Sequence, residues 1–172
     1  KVLKSKFEGE MMARAKYQVL VLPFCLNEDE IKYCIFHRSD MNIWQFIAGG
    51  GEDGETPLQS AKREAYEEAG IAYNANYYPL DTCCSISTEC FSAYRKTWGD
   101  NCFVIPEYTF AVNIEKTIVN ISPEHTKYEW MDYETAKRVL RYDSNKVALW
   151  ELDNKIKKGL LVGEDATKKS FS

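Results

Sequence analysis

The first fifty residues alternate between short apolar runs and polar turns, at lengths typical of strands. Residues 17–24 predict a buried strand, and residues 31–36 predict a second strand that returns after the polar turn at 27–30. Residues 44–47 predict a short third strand that ends at the three glycines 49–51. The pattern therefore predicts a hairpin followed by a short strand and a glycine loop.

After the glycines, the chain carries its best-marked helix, over residues 57–69. Thr56 is placed to cap the first turn, Pro57 suits the first helical position, and Gln59 completes a capping box with Thr56. Gly70 is the expected C-terminal stop. The apolar residues of this helix form one stripe, Leu58, Ala61, Ala65 and Ala69. Because the stripe is mostly alanine, we expect the helix to lie close against a sheet.

The second half of the chain mixes apolar strands, turn residues and two helical patterns. The predicted elements are strands at 80–90 and 103–113 joined by a polar loop around 98–101, a last strand at 128–131, and helices at 133–141 and 145–158. Ser144 is the expected cap of the final helix. This order is typical of an α/β (α+β) protein in which a mixed β-sheet lies between helices.

The length of 172 residues suits a single domain, 1–172, with a core of about 14–160 and frayed ends. The net charge of −4, with no block of Lys or Arg, gives no electrostatic footprint for nucleic acid. No apolar stretch approaches the roughly 20 residues that span a bilayer, and residues 1–4 show no signal-peptide core. We therefore expect a cytoplasmic protein without a nucleic-acid or membrane partner.

Six cysteines are present, and none of them forms a C-x-x-C pair. With only two histidines in the chain, a zinc site is not expected. We expect the cysteines to be small buried residues in a reducing compartment: Cys25, Cys34, Cys83, Cys84, Cys90 and Cys102.

Three carboxylates of the predicted helix are the strongest candidates for chemistry. Glu64, Glu67 and Glu68 stand at i, i+3 and i+4, so we expect them on one helix face, opposite the alanine stripe. Carboxylates this close repel one another, whereas hard divalent cations would turn them into an oxygen-ligand site. The alternative is a solvated acidic face with Lys62 and Arg63 as counter-ions.

The residues around these carboxylates decide between the two interpretations. Gly49 is followed after five residues by Glu55, and after seven more by the run R-E-A-Y-E-E-A-G-I at 63–71. This spacing resembles the Nudix box, G-x5-E-x7-R-E-U-x-E-E-x-G-U, in which U is apolar. Every fixed position matches, and the one soft departure is Ala65, where a bulkier aliphatic residue is usual.

The resemblance implies a Nudix-like α/β/α sandwich and a metal-dependent hydrolase that uses Mg²⁺ or Mn²⁺. Glu64 and Glu68 match the principal metal ligands, and Glu67 matches a further ligand or a candidate general base. Glu55 and Arg63 match residues that brace the loop and helix and assist metal binding.

Gly49 matches the glycine that turns the loop close to the metal, which we expect to need unusual backbone angles. Gly70 matches the glycine at the end of the box, in agreement with its expected role as helix stop.

A weaker resemblance, over about 17–152, is to the dihydroneopterin triphosphate and dATP pyrophosphohydrolases. Trp44 and Gln45 open the segment W-Q-F-I-A-G, where that branch has W-Q-S-V-T-G, so Ala48 replaces a threonine near the substrate. Glu124 and His125 begin a segment similar to the branch pattern E-H-x-x-Y-x-W. The resemblance makes Glu124 a fourth metal ligand and an alternative general base, whereas His125 is either catalytic or a residue that fixes the loop.

Four further residues are candidate substrate contacts: Arg38, Trp44, Ala48 and Phe91. Arg38 is a candidate to bind phosphate or, alternatively, to pair with Asp40. Phe91 and Trp98 are candidates to stack on a base or pterin ring, and simple packing is the alternative for both.

The resulting hypothesis is a Mg²⁺- or Mn²⁺-dependent pyrophosphohydrolase that converts a nucleoside-triphosphate-like small molecule to a monophosphate and pyrophosphate. The alternatives are a Nudix hydrolase of a nucleotide sugar or dinucleoside polyphosphate, and a non-catalytic module that senses a nucleotide. The sequence leaves open whether the protein is a monomer or a homodimer.

Overall fold

The computed structural model describes residues 13–28, 30–115 and 119–163. Within these ranges the chain forms seven strands and four α-helices. They are β1 (Arg14–Asn27), β2 (Glu30–Arg38), β3 (Trp44–Gln45), β4 (Ile47–Glu52), α1 (Pro57–Ala69), β5 (Asn76–Ser87), α2 (Ser92–Trp98), β6 (Val104–Asn113), β7 (His125–Met131), α3 (Tyr133–Val139) and α4 (Asp143–Lys157). The outermost residues of the predicted domain, 1–12 and 164–172, lie outside the described part.

One mixed sheet contains all seven strands, and β1 lies at its centre. The strand order is β3-β2-β1-β6-β5, with β4 paired to β1 and β7 paired to β2. Strand β1 runs parallel to β6 and antiparallel to β2 and β4. Because β4 takes the place of β2 along the first half of β1, the sheet splits there.

Both faces of the sheet are buried, since the side chains of β1 alternate between two apolar clusters. Leu20 and Leu22 belong to a cluster closed by α3 and α4. Val19 and Val21 belong to a second cluster closed by α1. This arrangement confirms the predicted α/β/α sandwich with a mixed sheet.

The prediction of helix α1 was correct in its N-terminal cap, its C-terminal stop and its packing on the sheet. Thr56 accepts a hydrogen bond from the backbone of Gln59, and the Gln59 side chain accepts one from the backbone of Thr56. Gly70 ends the helix in the left-handed conformation, with a φ of 68°. Ala61, Ala65 and Ala69 are all buried, which confirms that α1 packs closely on the sheet.

The predictions for residues 80–101 were wrong in two respects. Strand β5 ends at Ser87, and a 3-10 turn, Thr88–Phe91, leads into helix α2, where we expected a strand to 90 and then a loop. The physical reason is tertiary: Trp98, at the end of α2, is buried and donates its Nε1–H to the carbonyl of Arg14. That contact holds a helix which the local apolar pattern does not predict.

Two smaller boundaries also differ from the prediction. The third strand is split at Phe46, whose N–H donates to the side chain of Asn145 instead of to a neighbouring strand, and β4 continues through the glycines to Glu52. Ser144 lies inside α4, which begins at Asp143, so it is not the cap of that helix.

The expectation that all cysteines are buried was also wrong. Cys25 and Cys34 are buried, whereas Cys83 and Cys90 are exposed and the other two are half-buried. The exposed pair lies on β5 and the turn after it, and β5 is the edge strand of the sheet formed by the described residues. Among the described residues, no helix is long and apolar enough to cross a bilayer.

Candidate active site

Arg63 ties helix α1 to the loop that precedes it. Its Nε and Nη2 atoms donate to the two oxygens of Glu55, at 2.8 and 3.0 Å. Nη2 also donates to the carbonyl oxygen of Gly50, at 2.8 Å. The Ser60 hydroxyl donates to Glu55 as well, at 2.6 Å. These bonds hold strand β4, the loop and the first turns of α1 as one rigid unit, which is the bracing expected of Glu55 and Arg63.

The electrostatics of this brace favour a permanently charged pair. Burial works against ionisation of Glu55, but the bonds from Arg63, Ser60 and the backbone of Glu52 outweigh it and lower its pKa to about 2. The bond with Glu55 is the largest cause of a raised pKa for Arg63. Both groups therefore remain ionised at any physiological pH.

Glu64 points from α1 toward strand β4, directly over Gly49. A Cβ at position 49 would overlap the Glu64 carboxylate, so only glycine leaves room for that side chain. Gly49 itself lies in β4 and is not among the glycines with positive φ, so the expectation of unusual backbone angles there was wrong. The glycine is required for the close approach of a carboxylate.

Glu68 is buried against the sheet, with 3% of its surface exposed. Its Oε2 lies 2.7 Å from Nε2 of His125, the first residue of β7. His125 is itself buried, with its ring 5.1 Å from that of Phe36. His125 therefore orients the Glu68 carboxylate, a contact that neither of the two expected roles, loop geometry or catalysis, had included.

We expected the three glutamates of α1 to share a face opposite the alanine stripe, and this prediction was wrong. Glu68 follows Ala61 by seven residues, which is about two helical turns, so it lies beside the stripe and is buried with it. Glu67 projects away, and 56% of its side chain is exposed. Glu64 lies between the two, where Arg63 Nη1 donates to it at 2.7 Å.

The buried pair of carboxylates carries raised pKa values. Burial is the largest cause for Glu64, whose pKa rises to about 7 although Arg63 lowers it. Burial also raises the pKa of Glu68, to about 8, and the negative charge of Glu124 adds to the shift. Each carboxylate is therefore short of positive charge.

Glu124 reaches the same region from the loop before β7. Its backbone carbonyl accepts hydrogen bonds from the backbone and hydroxyl of Ser39, at 2.9 and 3.0 Å. The N–H of Ser122 donates to the carbonyl of Glu68, at 3.0 Å. The loop is thus fastened both to the end of β2 and to α1, and this places an exposed carboxylate beside a buried one.

A pocket of about 720 Å³ opens beside this group. The predicted site residues that line it are Arg38, Ala48, Gly49, Glu64, Glu68, Phe91 and Glu124. The predicted site residues that do not line it are Trp44, Glu55, Arg63, Glu67 and Gly70. The structure therefore brings together Glu64, Glu68 and Glu124, while Glu67 lies outside the pocket.

Three candidate substrate residues already have partners in the protein. Arg38 makes two hydrogen bonds to Asp40, at 2.8 and 2.7 Å, which is the alternative that the sequence had left open. The guanidinium of Arg14 lies 4.7 Å from the centre of the Phe91 ring. Trp44 packs against the ring of His37. Arg38 and Phe91 still border the pocket.

The sequence did not reveal the polar residues at the other side of the pocket. Gln18 of β1 donates its amide to Oε2 of Glu107 on β6, at 2.9 Å, and both residues line the pocket. Glu107 is only 4% exposed. The available signal was a charged residue at an inward-facing position of an apolar strand, which is costly unless it is paired or functional.

The donor set around Gly49 fits a divalent cation. Glu64 and Glu68 present buried oxygens whose pKa values are raised by burial, which outweighs the contact of Glu64 with Arg63. Glu124 adds an exposed carboxylate, and all three are hard ligands. In the described ranges, no three His, Cys, Asp or Glu side chains are already arranged to hold an ion. A partial set is nevertheless what Mg²⁺ requires, since it retains waters and takes further oxygens from substrate phosphates.

Comparison with known proteins identifies the family of this chain. Residues 16–150 match the model of the NUDIX domain. Dihydroneopterin triphosphate diphosphatase of Haemophilus influenzae is 26% identical over 149 residues, which cover 86% of this chain and 94% of the relative. RNA pyrophosphohydrolase of Francisella philomiragia is 31% identical over 135 residues, which cover 72% of this chain and 83% of the relative. The crystal structure of a NUDIX hydrolase from Listeria monocytogenes, 38% identical, has a TM-score of 0.77 over 86% of this chain and 98% of that one.

Proposed function

Since this chain belongs to the NUDIX domain family and is a hydrolase that acts on phosphoanhydride bonds, we propose that it is a metal-dependent pyrophosphohydrolase of nucleoside-triphosphate-like molecules. Its products would be a monophosphate and pyrophosphate. The observation that carries the proposal is that Glu64, packed over Gly49, and the neighbouring Glu68 both line a pocket of about 720 Å³. The similarity to a dihydroneopterin triphosphate diphosphatase favours this substrate class.

The charges of the pocket explain why a cation is needed. Glu64, Glu68 and Glu124 would repel a triphosphate. Of the two cationic side chains that line the pocket, Arg38 is paired with Asp40, and Arg14 lies over the ring of Phe91. We propose that Glu64, Glu68 and Glu124 hold Mg²⁺ or Mn²⁺. The bound ions would neutralise the phosphates and make a water molecule more acidic.

Other side chains would position the metal ligands and accept a proton from the attacking water. Arg63 and Glu55 fix the position of α1 against β4, and His125 fixes the Glu68 carboxylate. The attacking water has to lose a proton to a carboxylate oxygen. Glu124 is the better placed acceptor, since it is exposed and borders the pocket, whereas Glu67 projects outside it.

The test combines a substrate panel with a change at Glu68. Purified protein with Mg²⁺ is given dihydroneopterin triphosphate, dATP, a nucleotide sugar and a dinucleoside polyphosphate, and the release of pyrophosphate and of phosphate is measured separately. We expect pyrophosphate from the two triphosphates. Glu68→Gln keeps the shape of the side chain but removes its charge, so we expect turnover to fall by at least about 100-fold with the fold retained.

Near-normal turnover by the folded Glu68→Gln variant would contradict the assigned metal site. Cleavage of the sugar nucleotide alone would refute the triphosphate substrate while leaving the metal site intact. Tyr66→Leu is a suitable control on the same helix, because Tyr66 is exposed and does not line the pocket.

A second candidate substrate is the 5′-triphosphate end of RNA. It is favoured by the similarity to an RNA pyrophosphohydrolase over 72% of this chain. It runs against the net charge of −4, which gives little attraction for a polyanion. A short 5′-triphosphorylated RNA in the same panel decides the matter, since pyrophosphate released from it faster than from dATP would favour this alternative.

A further inference from the structure

A buried carboxylate that the proposed chemistry does not use lies in the same pocket. Glu107 is 4% exposed and borders the pocket from β6. Its Oε2 accepts a hydrogen bond from Gln18, whereas its Oε1 makes no hydrogen bond of normal geometry among the described residues. The hydroxyl of Ser144, which also lines the pocket, interacts with the same carboxylate. Since an unpaired buried oxygen is destabilising, a protein that keeps one in a pocket has an acceptor available for a ligand.

The position of Glu107 follows from the strand register. Gln18 of β1 is paired with Gly50 of β4 on one side and with Glu107 of β6 on the other. Neighbouring strands lie about 4.8 Å apart, so the backbone of Glu107 is roughly 10 Å from that of Gly50. Gly50 adjoins Gly49, over which Glu64 lies, so Glu107 is about two strand spacings from the proposed metal-binding side of the pocket.

A chain of polar contacts fixes the direction of the free oxygen. Arg14 donates to the amide oxygen of Gln18, at 3.3 Å, and Arg14 is itself held between the rings of Phe91 and Tyr94. The amide nitrogen of Gln18 must then face Glu107, where it donates to Oε2 at 2.9 Å. Oε1 is left as the acceptor. Burial raises the pKa of Glu107, and hydrogen bonding by the side chains of Gln18 and Ser144 lowers it. A ligand would therefore share this carboxylate with the Ser144 hydroxyl.

We propose that Oε1 of Glu107 accepts a hydrogen bond from a ring N–H of the substrate, and that this contact selects heterocycles whose edge carries adjacent imino and amino donors. The 2-amino-4-oxopyrimidine ring, common to guanine and the pterins, has such an edge. Adenine presents a ring nitrogen without hydrogen beside its amino group. The inference rests on the proposed function, because it concerns the part of the same pocket that would hold the ring.

A carboxylate oxygen discriminates between such edges because it accepts hydrogen bonds and cannot donate one when ionised. An N–H donor completes the hydrogen bonding of Oε1, whereas a ring nitrogen or carbonyl would place a second acceptor against it. A site built around a buried polar group rejects ligands that leave this group unpaired, and it does so more strongly than an apolar pocket rejects a change of shape.

Glu107→Gln replaces the hydrogen-bond acceptor that faces the ligand by a donor, with little change in the shape of the side chain. The carbonyl oxygen of the new amide must accept the bond from Gln18, so its NH₂ group faces the ligand as a donor. We expect the ratio of kcat/KM for dGTP to that for dATP to fall by roughly 10- to 100-fold. The ratio for dihydroneopterin triphosphate against dATP should fall in parallel.

Thr109→Val is the matched control. Thr109 is also buried on β6, and its hydroxyl also has no partner among the described residues, but it does not line the pocket. We expect this variant to keep the wild-type preference between dGTP and dATP. An unchanged preference in a folded Glu107→Gln variant, or an equal loss of preference in Thr109→Val, would overturn the inference.

Binding of the monophosphates separates this inference from the proposed function. Calorimetry with dGMP and dAMP needs no turnover, and we expect the wild type to bind dGMP more tightly and Glu107→Gln to lose that difference. Equal affinities of the wild type for dGMP and dAMP would refute the inference even if triphosphates are cleaved. A preference for dGMP that depends on Glu107 would support it even if no substrate of the panel releases pyrophosphate.

Discussion

At the scale of single residues, the contact between Gly49 and Glu64 determines where a buried carboxylate can lie. Glu64 occupies the space that any Cβ at position 49 would fill. Arg63 holds the same carboxylate from the other side, at 2.7 Å. A larger residue at position 49 therefore displaces a proposed metal ligand without removing any charge from the site.

We predict that Gly49→Ala lowers kcat by at least about tenfold and weakens the binding of Mg²⁺, because the Glu64 carboxylate must move by more than a bond length. Activity is titrated against Mg²⁺ concentration, and thermal unfolding checks the fold. Gly54→Ala is the control: Gly54 has a φ of 86° and nothing within 4 Å of an added Cβ, so the change strains the backbone and touches no ligand. Loss of activity in the control alone would contradict the argument.

At the scale of elements, helix α1 lies close to the sheet because its buried stripe is mostly alanine. Ala61 and Ala65 have no exposed surface, and strands β1 and β4 lie beneath them. Family members usually carry a bulkier aliphatic residue at the position of Ala65. The candidate site depends on the short distance between helix and sheet, because this distance brings Glu64 to Gly49 and Glu68 to His125.

We predict that Ala65→Leu destabilises the protein by about 1–3 kcal/mol, because the added methylenes have no space. The free energy of unfolding is measured by urea denaturation. Tyr66→Leu, on the exposed side of the same turn, should change it by less than about 0.5 kcal/mol. A neutral or stabilising Ala65→Leu change would show that the helix can move outward without cost, and that the tight packing is not required.

At the scale of the whole molecule, the two buried carboxylates link stability to pH. Folded Glu64 and Glu68 have pKa values of about 7 and 8, against an ordinary value of 4.5. Between pH 4.5 and 8 the folded protein therefore binds more protons than the unfolded chain, and its free energy of unfolding falls as the pH rises. His125 has the opposite effect below pH 6.5, since burial lowers its pKa, so the fall is clearest above that value.

We predict that the midpoint of thermal unfolding falls between pH 6.5 and 8 in the absence of metal. Over these 1.5 pH units, Glu68 lowers the free energy of unfolding by at most about 2 kcal/mol, because one pKa unit corresponds to about 1.4 kcal/mol. Mg²⁺ should raise the midpoint more at pH 8 than at pH 6.5, since it binds ionised carboxylates. Glu68→Gln should show a smaller fall with pH, and a slope equal to that of the wild type would contradict the assignment of the raised pKa to Glu68.

Much of the fold was predictable, because local patterns determine local structure. The capping box at Thr56 and Gln59, the stop at Gly70 and the buried strand at 17–24 were each confirmed. The helix at residues 92–98 was missed, since it depends on a contact between Trp98 and the distant Arg14. The spacing of seven residues from Ala61 to Glu68 indicates that Glu68 lies beside the stripe, so the prediction of a shared face opposite the stripe was wrong.

The sequence by itself determined the family, the sandwich fold and the membership of Glu64 and Glu68 in a candidate metal site, because those features depend on the spacing of residues along one loop and one helix. Only the tertiary structure decided the rest of the pocket. It placed Glu124 beside the buried pair, Glu67 outside it, and His125 against Glu68. It also paired Gln18 with Glu107, 89 residues away, because strands distant in sequence become neighbours only when the sheet assembles.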